Sequence, residues 1–127
     1  MHETMHEIGH KTGLIFFPAF DWAISPTHPE REERLLYTRD QIFEEGILDN
    51  PKIIEYKPRL AAEEDIRRVH FCIPDVQSKT TTAHFISVGC AIKLGDALMQ
   101  GEISNGFALV RPPGHHAMRV VHGNRGF

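Results

Sequence analysis

Three short, mostly apolar runs stand out in this chain, separated by longer periodic stretches. Gly13-Leu14-Ile15-Phe16-Phe17 is closed by Gly13 on one side and Pro18 on the other. A run of that length between breakers predicts a buried strand. Ile53-Ile54-Glu55-Tyr56 predicts a second, shorter strand, and Gly106-Phe107-Ala108-Leu109-Val110 a third, again buried. Residues 18–28 are punctuated by Pro18, Asp21, Ser25 and Pro26 and predict a loop. A helix is expected to start near Thr27. Thr27 can cap it, Pro29 suits the first turn, and Glu30 stands three residues on, as in a capping box. Leu35, Ile42 and Phe43 supply its apolar face and Gly46 its end. Glu63 to His70 predicts a short charged helix.

The longest helix is expected from Thr82 to Gln100. Its polar residues are confined to His84, Ser87, Lys93, Asp96 and Gln100. So narrow a polar stripe predicts a helix largely buried against a sheet. Strands alternating with helices predict an α/β fold with a parallel sheet and right-handed crossovers. Residues 72–79 carry no clear pattern, and no internal repeat is visible.

Composition narrows the functional classes. The 127 residues suit one domain and are too few for two. Residues 1–12 are polar and rich in His and Glu, so they are expected to form an N-terminal arm ahead of a domain over residues 13–127. A net charge of -3 argues against a nucleic-acid or membrane-surface partner, both of which need a basic face. No apolar stretch approaches the ~18 residues of a membrane span. Met1-His2-Glu3-Thr4-Met5-His6-Glu7 lacks the pattern of a secretory signal. Cys72 and Cys90 stand apart, which fits a reduced cytoplasmic chain better than a disulfide framework.

Nine histidines is a high count for this length and draws attention to metal chemistry or proton transfer. His115 and His116 follow Arg111-Pro112-Pro113-Gly114, directly behind the third apolar run. Open parallel sheets bind ligands outside the carboxyl ends of their strands. A neutral imidazole there can take a proton from water, and an imidazolium can return one to a leaving amine. The alternative is a surface turn with incidental histidines. A second pattern, His6-Glu7-Ile8-Gly9-His10, satisfies the HExxH spacing of zinc metallopeptidases. That spacing works only on a helix, where both histidines share a face. Gly9 and Gly13 oppose a helix here, and the pattern reads instead as an arm that binds stray divalent metal weakly. The charged runs Glu30–Arg34 and Glu63–Arg68 read as solvated helix faces.

The segment Phe107-Ala108-Leu109-Val110-Arg111-Pro112-Pro113-Gly114-His115-His116-Ala117, continued by His122-Gly123-Asn124-Arg125-Gly126-Phe127, resembles the signature of the histone deacetylase superfamily. That superfamily includes acetoin-utilisation proteins and acetylpolyamine amidohydrolases. Thr12-Gly13-Leu14-Ile15-Phe16 resembles its opening strand. His28-Pro29-Glu30-Arg31-Glu32-Glu33-Arg34-Leu35 resembles its HPERPERL helix start, with Glu32 where Pro is usual. Ala62-Glu63-Glu64-Asp65-Ile66-Arg67-Arg68-Val69-His70 resembles the family helix ending in Val-His. The resemblance implies an arginase- and deacetylase-like three-layer α/β/α architecture, here the N-terminal part with about three parallel strands. It places the first strand between the second and the third.

The resemblance also implies an activity: zinc-dependent hydrolysis of an N-acetyl amide, on acetyl-lysine or an acetylated amine, to acetate and free amine. His115 and His116 match the paired catalytic histidines. Gly126 and Phe127 match residues lining the tunnel for the substrate stem. Arg34 matches an arginine of the acetate-release channel. The family's metal ligands and transition-state tyrosine have no counterpart in these 127 residues, and the segment Phe71 to Thr81 is shorter than usual. No bound zinc and no catalysis are therefore expected of the chain by itself, since water without a metal keeps a pKa near ~15.7 rather than ~7. The rival expectation is a stand-alone assembly or binding module that self-associates through an unpaired sheet edge.

Overall fold

The computed structural model describes residues 10–20, 27–68 and 79–113. The expected elements are present. Strand β1 is Thr12–Phe17, helix α1 Glu32–Glu44, strand β2 Ile53–Tyr56, helix α2 Glu63–Arg67, helix α3 Lys79–Met99 and strand β3 Asn105–Val110. A single 3-10 turn, Ile47–Asp49, follows α1. The sheet is parallel in the order β2-β1-β3, so the first strand lies between the other two. Thr12 faces Ile53 on one side and Asn105 on the other, and the register runs to Phe17 against Val110. The first strand thus opens one residue before Gly13. The Thr12 amide donates to Lys52 O at 2.8 Å, and its hydroxyl donates to Asn105 Oδ1 at 2.7 Å.

Alternation along β1 sorts its side chains between two layers. Ile15 and Phe17 face α3, packing with Cys90, Leu94, Ala97 and Ile103. Phe16 faces the opposite way, where the Arg39 guanidinium of α1 lies 5.1 Å from its ring centre. The sheet is therefore sandwiched between α3 and α1, a three-layer α/β/α arrangement. Gly13 belongs to the α3 face, and a Cβ there would lie 2.6 Å from Ile103 Cδ1 and 3.0 Å from Leu94 Cδ2. Beyond α3, Ala61, Ile66 and Phe85 form a smaller apolar cluster that seats α2. No helix among the described residues is long and apolar enough to cross a membrane.

Three expectations need correction. Helix α1 starts at Glu32, not near Thr27, and its N-cap Arg31 is extended with no side-chain cap bond. The reason is tertiary. Glu30 gives both its backbone carbonyl and its carboxylate to Arg111, 81 residues away, which holds it outside the helix. The Glu30 amide instead donates to His28 Nδ1 at 3.0 Å. Second, Phe43 is 68% exposed. It stands eight residues from buried Leu35, about 80° around a helix of 3.6 residues per turn, whereas Ile42 stays within about 20°. Third, β3 is not uniformly buried. Leu109 is buried but Phe107, two residues earlier on the same face, is open to solvent.

The long helix extends three residues earlier than expected and ends at Met99. Its polar stripe divides. His84 and Ser87 are turned inward and buried, while Asp96 is exposed and pairs with Arg59 at 3.0 Å. Helix α2 ends at Arg67, short of His70, and its Ala62 amide donates to Asp65 Oδ2 at 3.0 Å. The segment Arg59–Ala61 crosses α3 at Gly89. Its Ala61 amide donates to the Phe85 carbonyl at 3.0 Å. A Cβ on Gly89 would stand 1.9 Å from Arg59 O and 2.7 Å from Ala61 N. Residues 1–9, 21–26, 69–78 and 114–127 lie outside the described residues, and with them most of the HExxH pattern, most of the predicted 18–28 loop, Cys72, His115, His116, Gly126 and Phe127.

Gly89→Ala in the intact protein should lower unfolding free energy by about 3 kcal/mol, because the opposing atoms are backbone and cannot rotate away. A denaturant titration checks this. Burial raises the Cys90 thiol pKa, its first cause being desolvation. Cys90 should therefore alkylate on the order of a hundredfold more slowly in the folded protein than in the unfolded one at pH 8. The thiol stays protonated in the fold while the unfolded thiol ionises. Its contribution to stability is thus full below the unfolded pKa and is lost as pH rises toward the folded one.

Candidate functional site

The carboxyl ends of β1 and β3 converge on a buried guanidinium. Arg111 directly follows β3 and is fully buried. An unpaired charge in such a place would be prohibitive, so its partners define the site. Nε donates to Glu30 Oε1 at 2.9 Å. One terminal nitrogen donates to the carbonyls of Pro18 and Ala19, just past β1. The other donates to the Glu30 carbonyl at 3.0 Å. The Arg111 amide continues the sheet ladder to Phe17 O at 3.1 Å. One side chain therefore ties together the exit of β3, the exit of β1 and the approach to α1. Only a guanidinium offers five donors in a rigid fork that can serve such spread-out acceptors.

Glu30 is shared between two cations. Arg34 donates to it through Nε and a terminal nitrogen, both at 3.1 Å. The Arg34 side chain is half exposed, while Glu30 is mostly covered. Arg34, for which the resemblance implied a channel role, sits at the outer end of an Arg34–Glu30–Arg111 chain. Glu32 stands at the limit of ion-pair distance from Arg111, at 4.0 Å.

Pro112 is buried and joined to Arg111 by a cis peptide bond. Its carbonyl accepts a hydrogen bond from Ser87 Oγ of α3 at 2.7 Å. The Arg111–Pro112 dipeptide is thereby fastened from both layers. Beside it, His84, Ser87, Val88, Ala91, Ile92, Val110, Pro112 and Pro113 line a mostly apolar hollow of about 290 Å³. Sequence reasoning assigned no role to Arg111 or Ser87. The available signal was a charged residue placed directly behind an apolar strand with no polar residue between. His115 and His116 continue the chain from this anchored dipeptide, and their placement lies outside the described residues.

Among the described residues, no three His, Cys, Asp or Glu side chains stand close enough to hold an ion. The described residues therefore do not fit a zinc centre.

Comparison with known proteins places this geometry. The family model for the histone deacetylase domain matches residues 74–127, which take in α3, β3 and the stretch after it. A protein of Archaeoglobus fulgidus named "Probable deacetylase" is 37% identical over 129 residues, covering 87% of this chain and 36% of that protein. Human "Polyamine deacetylase HDAC10" is 29% identical over 119 residues, covering 72% of this chain and 17% of that protein. Among solved structures, the HD domain of HDA15 superposes with a TM-score of 0.72 at 21% identity, over 88% of this chain and 38% of that one. The chain thus spans about a third or less of the length of these relatives. These matches agree: the chain belongs to the histone deacetylase superfamily and carries part of its domain.

Proposed function

We propose that the intact protein hydrolyses N-acetyl amides, of acetyl-lysine or an acetylated amine, to acetate and free amine. What supports this reading is that Arg111-Pro112-Pro113-Gly114-His115-His116 continues the sequence directly from the carboxyl end of β3, within the region matched by the deacetylase family model. Strand ends of a parallel sheet are where such folds gather catalytic groups. In this reading one imidazole of the pair is neutral and accepts a proton from the attacking water. The other is available to donate a proton to the amine nitrogen as the C–N bond breaks. The carboxylic proton passes to the released amine, so acetate and an ammonium leave with no net proton gained or lost, and transfer of one proton from the first imidazole to the second returns the pair to its starting protonation. Gly126 and Phe127 are proposed to flank the substrate stem. Arg34 is proposed to stand on the path by which acetate departs. Zinc is the metal this family generally uses, and its ligands in the intact protein are proposed to be groups other than the described residues.

The test is steady-state acetate release by the intact, zinc-loaded protein from an acetyl-lysine peptide and from an N-acetylated polyamine. His115→Ala and His116→Ala should each lower kcat by about 10²–10⁴-fold, the usual contribution of a positioned acid or base. Unchanged kcat in both variants would defeat the assignment. Chelation should abolish turnover and zinc should restore it.

A further inference from the structure

The site described above contains two residues that are poor choices for their local structure. Ser87 lies in the interior of α3, where alanine would favour the helix more. Helical serines usually bond the carbonyl one turn back. Here the hydroxyl reaches out of the helix to the Pro112 carbonyl at 2.7 Å. Arg111 occupies a fully buried position that an apolar side chain could fill without the desolvation a charge suffers. Both residues give up local stability and gain directional bonds. Apolar packing tolerates small slips, whereas a hydrogen-bond fork fixes orientation.

We propose that Arg111, with Glu30 as its counter-ion, and Ser87 are positioning residues for the His115–His116 pair. This rests on the proton-transfer reading of that pair given above. Arg111 sets the direction in which the chain leaves β3, through the Pro18, Ala19 and Glu30 oxygens. Ser87 sets the plane of the next peptide from the opposite layer. Two residues, Pro113 and Gly114, then separate the anchored dipeptide from His115. A misplacement of about 1 Å at a catalytic group can cost on the order of 10²-fold in rate. Glu30 adds a link to Arg34, so the outer face of α1 is joined to the same anchor.

The test uses the intact protein with Arg111→Lys and Ser87→Ala. Lys keeps the charge but loses the fork, and Ser87→Ala removes a single bond, so at least the second variant should fold with a Tm within about 4 °C of wild type. The expected result is a drop in kcat of about tenfold or more in each, with KM within about twofold, since substrate binding is not what these residues touch. The ring ¹H–¹³C signals of His115 and His116 should shift in both variants. A folded Ser87→Ala protein with wild-type kcat and unmoved histidine signals would overturn the proposal. Should wild-type protein fail to deacetylate, the deacetylase reading falls alone. The histidine signals would still decide the positioning claim: shifted supports it and unmoved rejects it.

Discussion

The buried Arg111 guanidinium is the interaction on which the rest of the arrangement depends. It satisfies carbonyls at the exit of β1, a carboxylate and carbonyl at Glu30, and, through its own amide, the sheet ladder. Removing one partner of such a buried pair typically costs about 3–5 kcal/mol, because the other charge stays in place without compensation. The pair is not the cheapest way to fill this space. What it gives is a single relative placement of β1, β3 and the approach to α1, at the end of the sheet where chemistry is expected. The surface ion pairs elsewhere, such as Arg67–Glu63 and Arg68–Asp65, are exposed and add little.

Much of the fold can be read from local pattern. The three strands are apolar runs bounded by Gly, Pro or polar residues, and α3 is long and apolar enough that its identity does not depend on context. The start of α1 could not be read the same way. Thr27, Pro29 and Glu30 spell a local capping signal, but Glu30 has a stronger partner in Arg111, and that partner is visible only once the chain is folded. The inward turn of His84 and Ser87 has a similar origin. A polar stripe on a helix says which residues share a face, not whether that face meets water or a backbone carbonyl. Phe107 shows the reverse case, an apolar strand residue that stays open to solvent.

The site was legible at its most distinctive stretch and illegible in its support. A histidine pair behind an apolar strand is conspicuous in sequence, and family resemblance sharpens its meaning. The residues that hold the stretch before it in place are an arginine, a glutamate 81 positions away and a serine in the middle of a helix. None carries a spacing signature, because their relation is made by the sheet order β2-β1-β3 and by α3 lying across it. Deacetylase membership and the buried anchor therefore come from different kinds of observation. The first rests on shared sequence and fold, the second on the hydrogen bonds of this chain.

The most direct test of the central claim is a double-mutant cycle in the intact protein, pairing Arg111→Lys with Glu30→Gln and reading both unfolding free energy and kcat. If the buried pair is one unit that orders the sheet end, the two changes should be strongly non-additive, with a coupling of about 1.5 kcal/mol or more in stability and a matching interaction in kcat. Additivity within about 0.5 kcal/mol in stability, with independent effects on kcat, would mean that Arg111 and Glu30 act separately and that the site is organised by something else.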